Sequence, residues 1–172
     1  MTITDDRTLP AALAEVAGSA FDYAEDGIDY EPFDAFLAAE ETADWLLSWT
    51  GNPEADAAAF RVFGQDGTGG YAAFWLVRPG RPVAEQPVVF LGSEGEAGVA
   101  AGSLADLLWL LAAGLGPLEA VEYPDRPEHP MPALAAIAER HAPGARRPAA
   151  EIVAAAQAEF PGFEEYVDGL CG

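Results

Sequence analysis

FRVFGQDGTGGYAAFWLVRPG (Phe60–Gly80), QPVVFLGSEGEAGVAAG (Gln86–Gly102) and SLADLLWLLAAG (Ser103–Gly114) form the stretch that decides how this chain folds. Phe60, Val62 and Phe63 begin a strand. Gln65–Gly70 is a short connection with three glycines, suited to a hairpin that needs positive φ. Tyr71–Val77 is an unbroken apolar run, as expected of a strand covered on both faces. After the break at Arg78–Pro82, Pro87 opens a strand to about Leu91, since proline is tolerated at a strand's first residue. Gly92–Gly98 is a second acidic turn, and Val99–Ala101 a short last strand. Ser103 and Asp106 then have capping-box spacing ahead of Leu104–Ala113, a helix apolar almost all round and therefore expected to be buried. The stretch reads as a sheet core with its packing helix.

Upstream, Pro10 suits the first turn of a helix reaching about Ala20, with Leu9, Leu13, Val16, Ala17 and Ala20 on its inner stripe. Phe21–Glu31 mixes aromatics and acids around Gly27 and reads as an exposed loop or irregular edge. Pro32 is read as the start of a second helical region, with Phe33, Phe36 and Leu37 on one side. Trp45, Leu46 and Trp49 share a face before Gly51-Asn52-Pro53 stops it, and both tryptophans are assigned to packing. Downstream, Gly114 and Gly116-Pro117 end the buried helix. A proline-rich connection over 122–132 leads to alanine-rich helices at about 133–142 and 149–159, then an aromatic, acidic tail from Phe160. There is no internal repeat, and 172 residues suit one domain.

A hydrophobic share of 51% argues against disorder despite a net charge of −21. Asp and Glu number 29 against 8 basic residues, all arginine. The first 60 residues hold 14 of the acids and a single arginine. Such a surface repels phosphate backbones and anionic membranes, so neither nucleic acid nor a membrane is expected as partner. A basic protein would be drawn to it, with a raised encounter rate; solubility alone is the plainer explanation of the charge. Cys171 is the only cysteine, so no internal disulfide can form. The opening MTITDDRTLP lacks the basic and apolar regions of a signal peptide, and Leu107–Ala113 is too short to span a bilayer. A cytoplasmic location is expected.

Few residues offer chemistry. Gln65–Gly70 lacks the Lys-Ser/Thr ending of a phosphate loop, is followed by a strand, and carries Asp66 where an anion would sit. His129 and His141, with one cysteine, match no zinc spacing, and His141 near a helix end has an electrostatic explanation. Asp66, Glu94 and Glu96 could line one rim if their turns lie side by side; paired carboxylates can support hydrolysis or hold a hard cation. No nucleophile–base pair is evident, and no metal or cofactor is expected.

The central stretch resembles the SUKH superfamily, which includes the fungal glucan-synthesis regulator domain and many bacterial immunity proteins. The resemblance lies in the hairpin Gly64–Gly70 running into Tyr71-Ala72-Ala73-Phe74-Trp75, the Pro87–Leu91 strand with its acidic turn Gly92–Glu96, and the Ser-Leu-x-x-Leu-Leu helix start at Ser103–Leu108. It covers about residues 60–120. The family's upstream Leu-Pro-x-x-Tyr-x-x-Phe-Leu helix has its nearest counterpart in Phe33–Leu37, without the Leu-Pro. The resemblance implies an α+β domain, a curved antiparallel sheet of about four to six strands with helices against it; the C-terminal helices are extra. It also implies a non-enzymatic protein that neutralises a basic toxin domain, such as a nuclease, by occupying its surface. The expected contacts are Asp66, Trp75, Glu94 and Glu96, supported by Asp22, Glu25, Asp26 and Asp29. The alternatives are a general interaction or regulatory module and, third, an enzyme with a carboxylate site at the Asp66/Glu94/Glu96 rim.

Overall fold

A computed structural model describes residues 7–19 and 28–171. Its centre is an open five-stranded antiparallel meander, β1 (Glu31–Pro32), β2 (Phe60–Gln65), β3 (Tyr71–Trp75), β4 (Val88–Leu91) and β5 (Ala97–Ala101), with neighbours in space following chain order. The helices are α1 (Ala11–Ala17), α2 (Ala39–Thr50), α3 (Leu104–Ala112), α4 (Pro117–Glu122), α5 (Pro132–His141), α6 (Ala149–Glu159) and α7 (Phe163–Leu170). The α+β class and the helical C-terminal part are as the sequence predicts.

Alternation along β3 explains why its apolar run is unbroken. Ala72 and Phe74 face one core with Phe63 and Val88, covered by α1, α3 and α5. Ala73 faces the other with Phe60, Val62, Val89 and Leu91, beneath Leu46 of α2 and Phe163 and Val167 of α7. Strand β2 alternates likewise, Phe60 and Val62 facing the second core and Phe63 the first, with a register shift against β3 between Val62 and Gly64. Helix α6 lies beside β5 and joins the layers: Ile152 and Val153 enter the first core, Ala156 the second. Helix α3 is buried over most of its surface, and its one polar group there, the Trp109 indole N–H, donates to the Ala142 carbonyl at 2.7 Å. The Ser103 hydroxyl accepts from the Asp106 N–H at its start, as the spacing predicts.

Several local readings are corrected or refined. Pro32 does not begin a helix; it lies in the edge strand β1, where a missing N–H costs no ladder bond. From there the chain bends at Asp34-Ala35 while staying against β2, Phe33 and Leu37 donating to the Phe63 and Val62 carbonyls, and helix begins only at Ala39. Strand β3 stops at Trp75 and β5 begins at Ala97 rather than Val99. Gly116-Pro117, read only as a stop, also starts α4, with proline in the first turn where its φ suits helix. The aromatic tail is mostly helix α7, whose Phe163 and Val167 are buried. Among the described residues no helix is long and apolar enough to cross a membrane.

Candidate acidic binding surface

The surface is built from two hairpin turns at one end of the sheet. In the first, Asp66 is 4% exposed and its carboxylate organises the turn. Its Oδ1 accepts from the Thr68 N–H at 3.1 Å and the Gly70 N–H at 2.7 Å, and the Thr68 hydroxyl reaches both oxygens. An aspartate does this readily because its short side chain reaches backbone N–H groups two residues on. In the second, Gly92 donates to the Glu96 carbonyl at 2.7 Å, and Glu96 Oε2 accepts from the Glu94 N–H at 3.3 Å. Gly69 and Gly95 supply the positive φ each turn needs, +94° and +92°.

The antiparallel pairing of Tyr71 with Leu91 brings these turns together. The Ser93 hydroxyl donates to Thr68 Oγ1 at 3.0 Å, and the Trp49 indole N–H donates to the Gly92 carbonyl at 2.7 Å. A Cβ on Gly70 would lie 2.9 Å from Gly92 Cα, so contact this close requires glycine. The rim is extended on one side by Asp29, whose Oδ1 accepts from the Gly67 N–H at 2.8 Å, and by Glu31, which accepts from the Gln65 amide. On the other side Glu96, Glu122, Glu164 and Asp168 surround a shallow depression of about 320 Å³. Among the described residues, Glu31, Glu94, Glu96, Glu122, Glu164 and Asp168 form no ion pair with a basic residue.

Beneath the rim lies a buried carboxylate. Glu119 is 3% exposed; its Oε1 accepts from the Gly116 N–H at 2.9 Å and its Oε2 from the Asp29 N–H at 3.4 Å. It therefore ties the start of α4 to the segment leading into β1. Burial is the strongest influence on its acidity and pushes the pKa up to about 7, against the opposing pull of those two N–H groups and of Arg126. Among the described residues, no group of three or more His, Cys, Asp or Glu side chains could hold a metal ion.

The structure sorts the residues named from sequence. Glu94 is exposed and Glu96 half-buried on the rim, and Asp29 joins them. Asp66 reaches the same place but spends its oxygens on its own turn, so it shapes the surface from beneath rather than presenting charge, and it does not converge with Glu94 and Glu96 as a free carboxylate. Trp75 is at the opposite end of β3, packed against Phe160, Phe163 and Tyr166 at ring separations of 5.5, 4.8 and 5.2 Å; it is the seat of the C-terminal helix. Asp22, Glu25 and Asp26 lie outside the described residues. Trp45 and Trp49 pack as expected, Trp45 lying 4.8 Å from Tyr71. Sequence reasoning missed Glu119, Glu122, Glu164 and Asp168. The signals were present: Glu119 follows Pro117 at a helix start, and Glu164 and Asp168 stand four apart on one helix face.

No family model, curated protein or solved structure matches this chain.

Proposed function

We propose that this protein is a non-catalytic binding module of the immunity type, which captures a basic toxin domain on the acidic turn end of its sheet and works in the cytoplasm. One observation carries the reading. The Thr68–Ser93 hydrogen bond joins the two turns into one rim whose exposed carboxylates have no basic partner among the described residues. Fixed, uncompensated like charges destabilise a surface by mutual repulsion and are relieved when a cationic surface covers them. The resemblance of residues 60–120 to the SUKH superfamily supports the immunity role, and the chain's charge supports a basic partner. A nuclease is a natural case, since it must be basic where it holds nucleic acid.

The test is capture of the protein product of the adjacent gene by the purified chain, repeated from low to high salt. Binding should weaken steadily as salt rises, because the Debye length shrinks from roughly 10 Å at 0.1 M to 3 Å at 1 M. Replacing the exposed Glu94 and Asp168 together by Lys should weaken it by about tenfold or more, with thermal stability nearly unchanged, as expected at exposed sites. Binding indifferent to salt and to this double substitution would remove the electrostatic account.

A further inference from the structure

At the end of the sheet opposite the acidic rim, three of the eight arginines line a single surface pocket of about 380 Å³. Arg61 comes from the start of β2, and Arg78 and Arg81 from the connection between β3 and β4. The remaining lining includes Phe36, Leu76, Pro79 and Val83, and among the described residues no Asp or Glu. Leu76 is one of the few large apolar side chains left exposed, at 38%. Cationic groups over an apolar floor are an unusual surface for a chain this acidic to assemble.

The pocket wall is held in place. Gln86 is buried at 2% exposure, and its amide spans the connection. Its Oε1 accepts from the Arg78 N–H at 2.8 Å, and its Nε2 donates to the Arg78 carbonyl at 2.7 Å and the Arg81 carbonyl at 3.1 Å. The Arg78 guanidinium is anchored on the carbonyls of Gly102 and Glu85 and on the Glu159 carboxylate. Arg61 lies 4.6 Å over the Phe36 ring, joining charge to floor. Arg81 pairs with Glu85, but its side chain is 62% exposed, and such a pair exchanges readily for another anion.

We infer that this pocket is a binding site for a small organic carboxylate with an apolar, ring-sized body, the body resting on Phe36 and Leu76 and the carboxylate replacing Glu85 on the exposed Arg81. Guanidinium groups match carboxylates in geometry as well as charge. The volume is within the range of small-molecule sites, and a wall fixed in advance lowers the entropic cost of binding. The acidic rim does not forbid an anion here: the length of β3 separates the ends by roughly 15 Å, well beyond the Debye length of about 8 Å at physiological salt. This site is separate from the proposed partner surface.

Benzoate is the probe, followed by backbone amide resonances at constant ionic strength, with benzamide and inorganic phosphate as controls. Benzoate should shift Arg61, Leu76 and the residues of 78–86 saturably, and more tightly than either control. Arg81→Gln should weaken benzoate by about three- to tenfold; Glu94→Lys, at the far end, should leave it unchanged. Benzamide binding as well as benzoate would overturn the role of charge, and phosphate binding as well would overturn the apolar floor. No saturable shift, or affinity unaltered in Arg81→Gln, would overturn the site itself.

Discussion

The two ends of the sheet treat charge in opposite ways. At the turn end Glu31, Glu94, Glu96, Glu122, Glu164 and Asp168 stand without ion pairs among the described residues, around turns fastened from within by Asp66 and Asp29 and above the Glu119 carboxylate that ties α4 to Asp29. At the other end Arg78 is held on Glu159 and two carbonyls, Arg81 on Glu85, and Gln86 clamps the connection between them. At the rim, buried carboxylates act as scaffold and exposed ones are left over. At the pocket, the arginines are part of the scaffold and line the cavity as well. Net charge alone describes neither arrangement: what matters is whether a charged group's hydrogen bonds are satisfied inside the fold or left for something outside it.

The largest expected effect comes from attacking the scaffold of the rim. Asp66→Ala strips the acceptor from the Gly70 and Thr68 N–H groups and should cost about 3 kcal/mol of unfolding free energy by denaturant titration. Asp66→Asn keeps one acceptor oxygen and should recover part of it. If Asp66→Ala were as stable as the parent, the distinction between scaffolding and displayed carboxylates would break.

Next is the buried acid under the rim. Glu119 has its pKa raised to about 7 in the folded chain, above the ordinary 4.5 that applies when unfolded. Folding thus favours its protonated form; its contribution is fully present below pH 4.5 and is lost as pH rises through about 7. Glu119→Gln removes that titration. Relative to the parent, the variant should gain about 1–3 kcal/mol in stability between acid and mildly alkaline pH, measured by denaturant titration at each pH. Asp29, whose charge raises the Glu119 value, and Arg126, which lowers it, are the nearby charges that tune the midpoint. A pH-independent difference between variant and parent would mean that the carboxylate is no more hindered than those above it.

The smallest effect is expected at the exposed pair of the opposite end. Arg81→Gln should change stability by less than about 0.5 kcal/mol, because Arg81 and Glu85 face water. A large loss by thermal unfolding would show that the arginine end depends on this pair and would narrow the contrast with the rim.

Much of this architecture is legible in the chain, for a simple reason. The unbroken run Tyr71-Ala72-Ala73-Phe74-Trp75 demands two covered faces, and Leu104–Ala112 demands burial, whatever lies around them. Pro32 and Pro117 were ambiguous because proline is admitted both at a sheet edge and in a helix's first turn. Which applies depends on whether a neighbouring strand is present, as β2 is for Pro32. Trp75 gives no sign in the sequence of its packing, because nothing local announces that Phe160, Phe163 and Tyr166 return to cover it.

From the residues alone come the sheet, its two-sided cover, the acidic turns and the excess of negative charge, all set by short-range apolar patterning and composition. Only the folded chain decides that Asp66 and Glu119 turn inward while Glu94 faces water, that Glu164 and Asp168 arrive beside Glu96, and that three scattered arginines share one pocket. Those outcomes depend on strand register and on helix docking from far along the chain, and long-range proximity leaves no periodicity for a sequence to display.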